Sequence, residues 1–249
     1  MLKKSWMMAR TEIRMVFKSR QVKSIPVMIV AMTVLFGVLV GWLLFALPLP
    51  PGEEADLYFN ALMSTVMGMT IVLLPVILPV MIAAESIVGE KERHTLIPLL
   101  ATPLTDSELL LGKFLTALIP GLGIAYANLT LSIGLVNVMA LLFDPTKLWL
   151  WPNLLSLLQG LVMPPLFALL AVGITVPISG RVTKVYEAYQ TSTVIVMPAL
   201  LFAYAGLLQG TGLDWTIFIA GAIALVIADF GLFRLARNLF SRDRLTSRR

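Results

Sequence analysis

Fourteen carboxylates, nineteen lysines and arginines, one histidine and no cysteine are the groups with which this sequence could do chemistry. Without cysteine there is no thiol nucleophile, no disulfide framework and no thiolate metal ligand. A catalytic triad would have to use His94, and no nucleophile elbow stands near it. The densest set is Glu85–Lys113, ESIVGEKERHTLIPLLATPLTDSELLLGK, with Glu85, Glu90, Lys91, Glu92, Arg93, Asp106, Glu108 and Lys113. Carboxylates this close together could act as general acids and bases. They alternate with bases, however, a pattern better suited to docking another protein. Nucleotide chemistry fares no better. Gly112-Lys113 is followed by Phe114 and lacks the upstream glycine of a phosphate-cradling loop, and Gly121 and Gly123 lead into Tyr126 rather than a third glycine.

The elements that must position this cluster are long apolar runs on either side of it. The chain is 58% hydrophobic and 13% charged over 249 residues, against roughly 25% charged in soluble domains. A membrane span needs about 20 apolar residues. Six stretches qualify, at about Ile25–Leu47, Ala61–Ala84, Phe114–Phe143, Asn153–Ser179, Thr191–Leu208 and Trp215–Phe233. The proline-rich fourth stretch could instead form a re-entrant pair. No cleavage-like motif interrupts the uncharged run from Ser24 to Gly52, so it reads as a retained span.

Charge fixes the orientation. With six spans both termini share a side, and that side carries eighteen of the nineteen basic residues. The other side holds Lys147 with Glu53, Glu54, Asp56, Asp144 and Asp214. Basic residues collect in the cytoplasm, so the termini, the 85–113 loop and the short 180–190 loop are expected there. The net charge of +5 is thus a topology signal, and nucleic acid is not an expected partner. Before the first span, Leu2, Trp6, Ala9, Ile13, Val16 and Phe17 recur at helical spacing among seven basic residues and the acid Glu12. This predicts an amphipathic helix within residues 1–24, lying in the lipid interface; a solvated basic tail is the plainer alternative. The expected fold is all-α: a polytopic membrane protein of six spans over residues 25–240, with a basic tail at 241–249.

Within the spans only Asp229 is ionisable, and a structural ion pair with Arg234 or Arg237 is expected of it. Tyr126 and Asn128 could line a substrate path, with Pro75 and Pro79 marking bends that free backbone carbonyls. Ordinary kinks and interhelical hydrogen bonds are the simpler roles for such residues. Thr105 followed by Glu108 predicts a capping box at the start of the third span. The run Thr95-Leu96-Ile97-Pro98-Leu99-Leu100 is apolar but too short to span, so it needs a partner, the spans or the interface to cover it.

The segment from Gly89-Glu90-Lys91-Glu92-Arg93-His94-Thr95-Leu96 through Leu99-Leu100-Ala101-Thr102-Pro103 to Gly112-Lys113 resembles the signature of ABC-2 type transporter permeases. That signature has an E-x-E-R run, Thr-Leu, an LL-x-x-P turn, a small polar cap and a final Gly-Lys. His94 stands where glycine is usual, and Ile97 where glutamate is frequent. The resemblance implies a permease that pairs with a separate ATP-binding-cassette subunit and with a second permease, a copy or a paralogue. ATP and magnesium would be bound by the ATPase subunit, with no cofactor in this chain. The chain itself would not be an enzyme, although the assembled complex would hydrolyse ATP. The resemblance further implies that the ATPase docks on the loop after the second span, through Glu90, Glu92, Arg93, Thr95, Leu96, Leu99, Leu100, Pro103 and Asp106. Arg181 and Lys184 would make a second contact. An exporter in a prokaryotic cytoplasmic membrane is expected, its substrate amphipathic or lipid-like because mid-membrane charge is scarce. The rivals are an ion-coupled secondary transporter, which would typically show paired acids at mid-membrane, and a polytopic membrane enzyme.

Overall fold

A computed structural model describes residues 2–16, 18, 74–93, 95, 105–143, 154–208 and 215–239, with isolated positions between 24 and 39. The described residues form helices and no strand. In chain order these are α1 (Leu2–Val16), α2 (Leu74–Glu92), α3 (Asp106–Phe143), α4 (Leu154–Ser179), α5 (Val185–Leu208) and α6 (Trp215–Leu239). Among the described residues, three segments are long and apolar enough to cross a membrane: Asp106–Leu135 in α3, Leu158–Ser179 in α4 and Phe218–Arg237 in α6. The helix α5 covers the predicted fifth stretch. The predicted first span, the opening of the second and the 241–249 tail lie largely or wholly outside the described residues.

The helix α2 is the hub. It carries apolar residues around its whole circumference and packs against α1, α3, α4 and α5, as expected of a helix with no face left for solvent or lipid. The core joins Ile82, Ala83 and Ile87 of α2 to Leu109, Leu110, Phe114 and Ala117 of α3, Val172 and Val176 of α4, and Ala236 of α6. Phe114 meets Phe233 edge to face, with ring centroids 5.6 Å apart. Small residues let the backbones approach. A Cβ on Gly121 would stand 2.6 Å from Pro79 Cγ, so α3 reaches the α2 proline only because residue 121 has no side chain.

Several boundaries differ from those read in the sequence. The helix α2 continues to Glu92, and α3 begins at Asp106 and runs unbroken for 38 residues, a length of about 57 Å. The connection between the two helices is therefore shorter than 85–113, because both extend beyond the apolar layer. Thr105 and Glu108 fix the start of α3. The Glu108 carboxylate accepts the Thr105 N–H at 3.0 Å, and the Thr105 hydroxyl oxygen lies 3.3 Å from the Glu108 N–H that donates to it.

The helix α4 is continuous through Pro164, Pro165 and Pro177, so the re-entrant alternative is not what the chain adopts. One reason is visible. Pro165 has no N–H to offer the Leu161 carbonyl one turn earlier. Tyr126 of α3 donates its hydroxyl to that carbonyl at 2.7 Å. A proline defect in one span is thereby repaired by a side chain from its neighbour, as backbone in lipid requires.

The helix α1 packs along α3 and touches α2. Its inward face is Ser5, Met8, Ala9 and Glu12, whereas Trp6 is exposed. Of the apolar stripe expected to lie in the lipid interface, Trp6 is exposed and Ala9 is buried against the bundle, so α1 seats on its neighbours by a face that the stripe did not mark. The physical reason is that α1 meets a polar surface on its neighbours. Ser5 donates to the Glu108 carbonyl at 3.0 Å, and Gly112 of α3 leaves room for Met8.

Candidate functional site

The ends of α2, α4 and α6 and the starts of α3 and α5 gather at one end of the bundle, beside α1. Three consecutive residues at the end of α2 tie this region together, each in a different direction. Glu90 faces α3, where its carboxylate lies 2.6 Å from Lys113 Nζ. Lys91 faces the end of α4. Its three ammonium protons meet three carbonyls, those of Ser179 at 2.6 Å, Gly180 at 2.9 Å and Val182 at 3.3 Å. Glu92 faces the start of α5 and accepts the Val185 N–H at 3.0 Å.

Lys113 is the centre of a second, buried set. It follows the apolar run Leu109–Leu111 and is only 1% exposed. Its ammonium lies 2.9 Å from Glu12 of α1 and 2.6 Å from Glu90, and it donates to the Ser86 carbonyl at 2.7 Å. Ser86 donates its hydroxyl to Glu12 at 2.8 Å. The Thr116 hydroxyl lies 3.3 Å from the same Glu12 oxygen and 2.9 Å from the Gly112 carbonyl, so its one proton serves either. Two carboxylates here share one ammonium, and hydroxyl donors offset the surplus negative charge. Burial pushes the Glu90 carboxyl above its usual range; Lys113 opposes that shift and the nearby Glu12 charge reinforces it. The same cause holds the half-buried Lys91 ammonium below the ordinary lysine range.

The residues predicted to contact a partner fall into three groups. Glu90 and Glu92 face neighbouring helices, as just described. Arg93, Thr95, Arg181 and Lys184 are exposed. Arg93 pairs back to Glu85, and Thr95 closes the end of α2 by donating its N–H to the Glu90 carbonyl at 2.9 Å. Asp106 opens α3. Leu96, Leu99, Leu100 and Pro103 lie outside the described residues. Arg93 and Thr95 follow directly on the residues that hold the 179–185 turn, so the exposed groups of the two connections are neighbours.

The four candidate path residues fall on α2 and α3. Tyr126 is engaged with Leu161, Pro75 is buried in α2, and Pro79 packs against Gly121. Asn128 is buried, with neither amide atom hydrogen-bonded. The ion pair expected of Asp229 is not formed. Both carboxylate oxygens are sealed from solvent without a hydrogen-bond partner, while the Arg234 guanidinium lies over the Phe230 ring, 4.4 Å from its centroid. Sequence reasoning missed Glu12, Ser86, Lys113 and Thr116 as parts of one network, and Lys91 as the donor to the carbonyls after α4. A signal existed: Glu12 is the only acid in residues 1–24.

The comparisons with known proteins agree with the motif. A family model described as "ABC-2 family transporter protein" matches residues 16–185, more than half of the chain, and the match includes Lys91, Glu92, Lys113 and the turn that follows α4. No curated protein matches the chain.

Proposed function

The chain belongs to the ABC-2 transporter family, and on that premise we propose that it is the permease subunit of an exporter driven by ATP hydrolysed in a separate subunit. Membership makes it a multi-pass membrane transport protein. The finer reading is that two permeases, identical or paralogous, pair with two ATPases in a prokaryotic cytoplasmic membrane. The ATPase docks on the connection between α2 and α3 and on the turn between α4 and α5. Closure of the ATPases on ATP then pulls the ends of α2 and α3 and opens an outward path for an amphipathic or lipid-like substrate.

The observation that supports this reading is the proximity of the two connections. Arg93 and Thr95 on one, and Arg181 and Lys184 on the other, are exposed at the same end of the bundle, and the bonds of Lys91 and Glu92 hold them side by side. Exposed basic groups of this kind suit a docking partner that carries negative charge. Reversing Glu90 would break an interior ion pair before it tested docking. The appropriate variant is the double reversal Arg181→Glu with Lys184→Glu. The chain should still insert, while an ATPase that co-purifies with the wild type should be lost by about tenfold or more, the effect of about 1.4 kcal/mol. Undiminished co-purification and ATP-dependent export would remove the second contact from the proposal. Export by the chain alone, driven by an ion gradient, would replace the whole reading with that of a secondary transporter.

A further inference from the structure

The turn between α4 and α5 closes only part of its own helix ends: the N–H groups of Gly180, Arg181 and Val182 donate to the Val176 and Ile178 carbonyls, and the rest is supplied from elsewhere. The last carbonyls of a helix lack N–H partners, and the first N–H groups of the next lack acceptors. A helix end is ordinarily closed by a local Ser, Thr, Asp or Asn at its start and by glycine at its finish. Here the residue before α5 is Lys184, whose side chain has no acceptor to offer the first N–H groups. The missing groups come from α2, ninety residues away in sequence. Lys91 places a cation on the carbonyls at the end of α4, and Glu92 places an anion on the first N–H of α5. Each charge also has the sign favoured by the helix end it meets. Beneath them, Ala84 and Val88 of α2 pack with Ala188, Val182 and Val185. The preceding residue, Glu90, ties the same end of α2 through Lys113 to α3 and, through the other face of Lys113, to Glu12 of α1.

We propose that Lys91 and Glu92 are positioning residues that clamp the α4–α5 turn to α2, so that both docking connections move as one body when the ATPase closes. This rests on the ATPase-driven reading above, which by itself requires only that each connection be touched. A clamp means that a push on either connection reaches α1, α3, α4 and α5 together. A turn held only by its own backbone bonds, with no tie to α2, would yield to the push instead of transmitting it.

The test uses Lys91→Met and Glu92→Leu, with Lys91→Arg as the conservative variant that keeps a cationic donor. Two readouts are taken on the full-length protein in lipid: amide hydrogen exchange across residues 180–188 of the permease, and substrate exported per ATP hydrolysed by the complex. Loss of a charged cap should speed exchange in the turn by about tenfold or more. ATP hydrolysis should continue while export per ATP falls several-fold, and Lys91→Arg should restore both. Unchanged exchange in Lys91→Met and Glu92→Leu would overturn the clamp, whatever the complex does. Faster exchange with an unchanged ratio of export to ATP would overturn the coupling role and leave a structural cap. If the wild type proves to have no ATPase partner, the coupling role fails with the functional reading, and exchange still decides the clamp.

Discussion

At the scale of single residues, the most demanding group in this protein is the Lys113 ammonium. An unpaired charge buried to this degree is unfavourable by several kcal/mol, and a pair of carboxylates answers it here. The arrangement is asymmetric in its consequences. Removing one carboxylate leaves Lys113 with the other, whereas Lys113→Met leaves both Glu12 and Glu90 facing each other without a cation. That substitution should lower stability by about 3–5 kcal/mol, the range seen when a buried pair loses one partner. Thermal unfolding of the detergent-solubilised protein, followed by size-exclusion chromatography, would read the loss. Adding Glu12→Gln and Glu90→Gln to Lys113→Met should recover much of it, because no charge then remains to be solvated. If Lys113→Met alone unfolds like the wild type, the network is not a support of the fold. Tyr126 shows the same logic in neutral form: its hydroxyl matters because Pro165 left a carbonyl without a donor.

At the scale of elements, the helices meet through small residues and proline, and their spacing can be probed directly. Gly121 and Gly123 lie two residues apart on α3 but face different surroundings. A Cβ at 121 would be 2.6 Å from Pro79 Cγ and 2.9 Å from its Cδ, while at 123 nothing lies within 4 Å. Proline ring atoms cannot swing away as the end of a flexible chain can, so Gly121→Ala must push α3 off α2. It should lower stability by about 1–3 kcal/mol, the usual effect of overpacking. Gly123→Ala should be neutral or stabilising by up to about 1 kcal/mol, because alanine is the better helix former. Equal unfolding midpoints for the two variants would contradict the close α2–α3 contact. Much of this architecture was legible in the sequence, and the reasons for the gaps are specific. Apolar length marks α3, α4 and α6, since the thickness of the hydrocarbon layer sets how many consecutive apolar residues a span must have. The start of α3 was legible from Thr105 and Glu108, because a capping box is a local signal. The inward face of α1 was not. Its Ser5 and Glu12 are buried only because Ser86, Lys113 and Thr116 stand opposite, and a periodicity analysis that scores polar residues as outward cannot register a polar partner. The continuity of α4 was legible from its apolar length; what the sequence did not show is that Tyr126 of another span answers the proline's freed carbonyl. Within the candidate site, the exposure of Arg181 and Lys184 follows from a short charged turn. The bonds made by Glu90, Lys91 and the exposed Glu92 depend on which helices neighbour α2.

At the scale of the whole molecule, the distribution of charge and the packing describe the same polarity. The charged end of the bundle contains the ionic network, the capped turn and the exposed groups Arg93, Thr95, Arg181 and Lys184. Eighteen of nineteen basic residues are assigned to that side by the six-span reading, which places it in the cytoplasm. The apolar flank of α6, with Ile219, Ile223, Val226, Ile227 and Phe230 exposed, suits lipid or another permease and says nothing about direction. Direction can be measured without background, because the chain contains no cysteine. A cysteine introduced at Lys184, which is exposed, should react with a membrane-impermeant maleimide only in inside-out vesicles or after the membrane is opened. A cysteine at Glu54, on the acidic side of the charge asymmetry, should react from outside in intact cells. Labelling in the reverse sense at both sites would invert the topology and put the Lys91–Glu92 clamp out of reach of any ATP-binding partner. Labelling of both sites from the same side would instead remove one span from between them. Labelling of the Lys184 site from outside, in either case, would break the link between the exposed surface and an ATPase while leaving the buried contacts of α2 as they are. The orientation experiment therefore tests the functional reading independently of the fold.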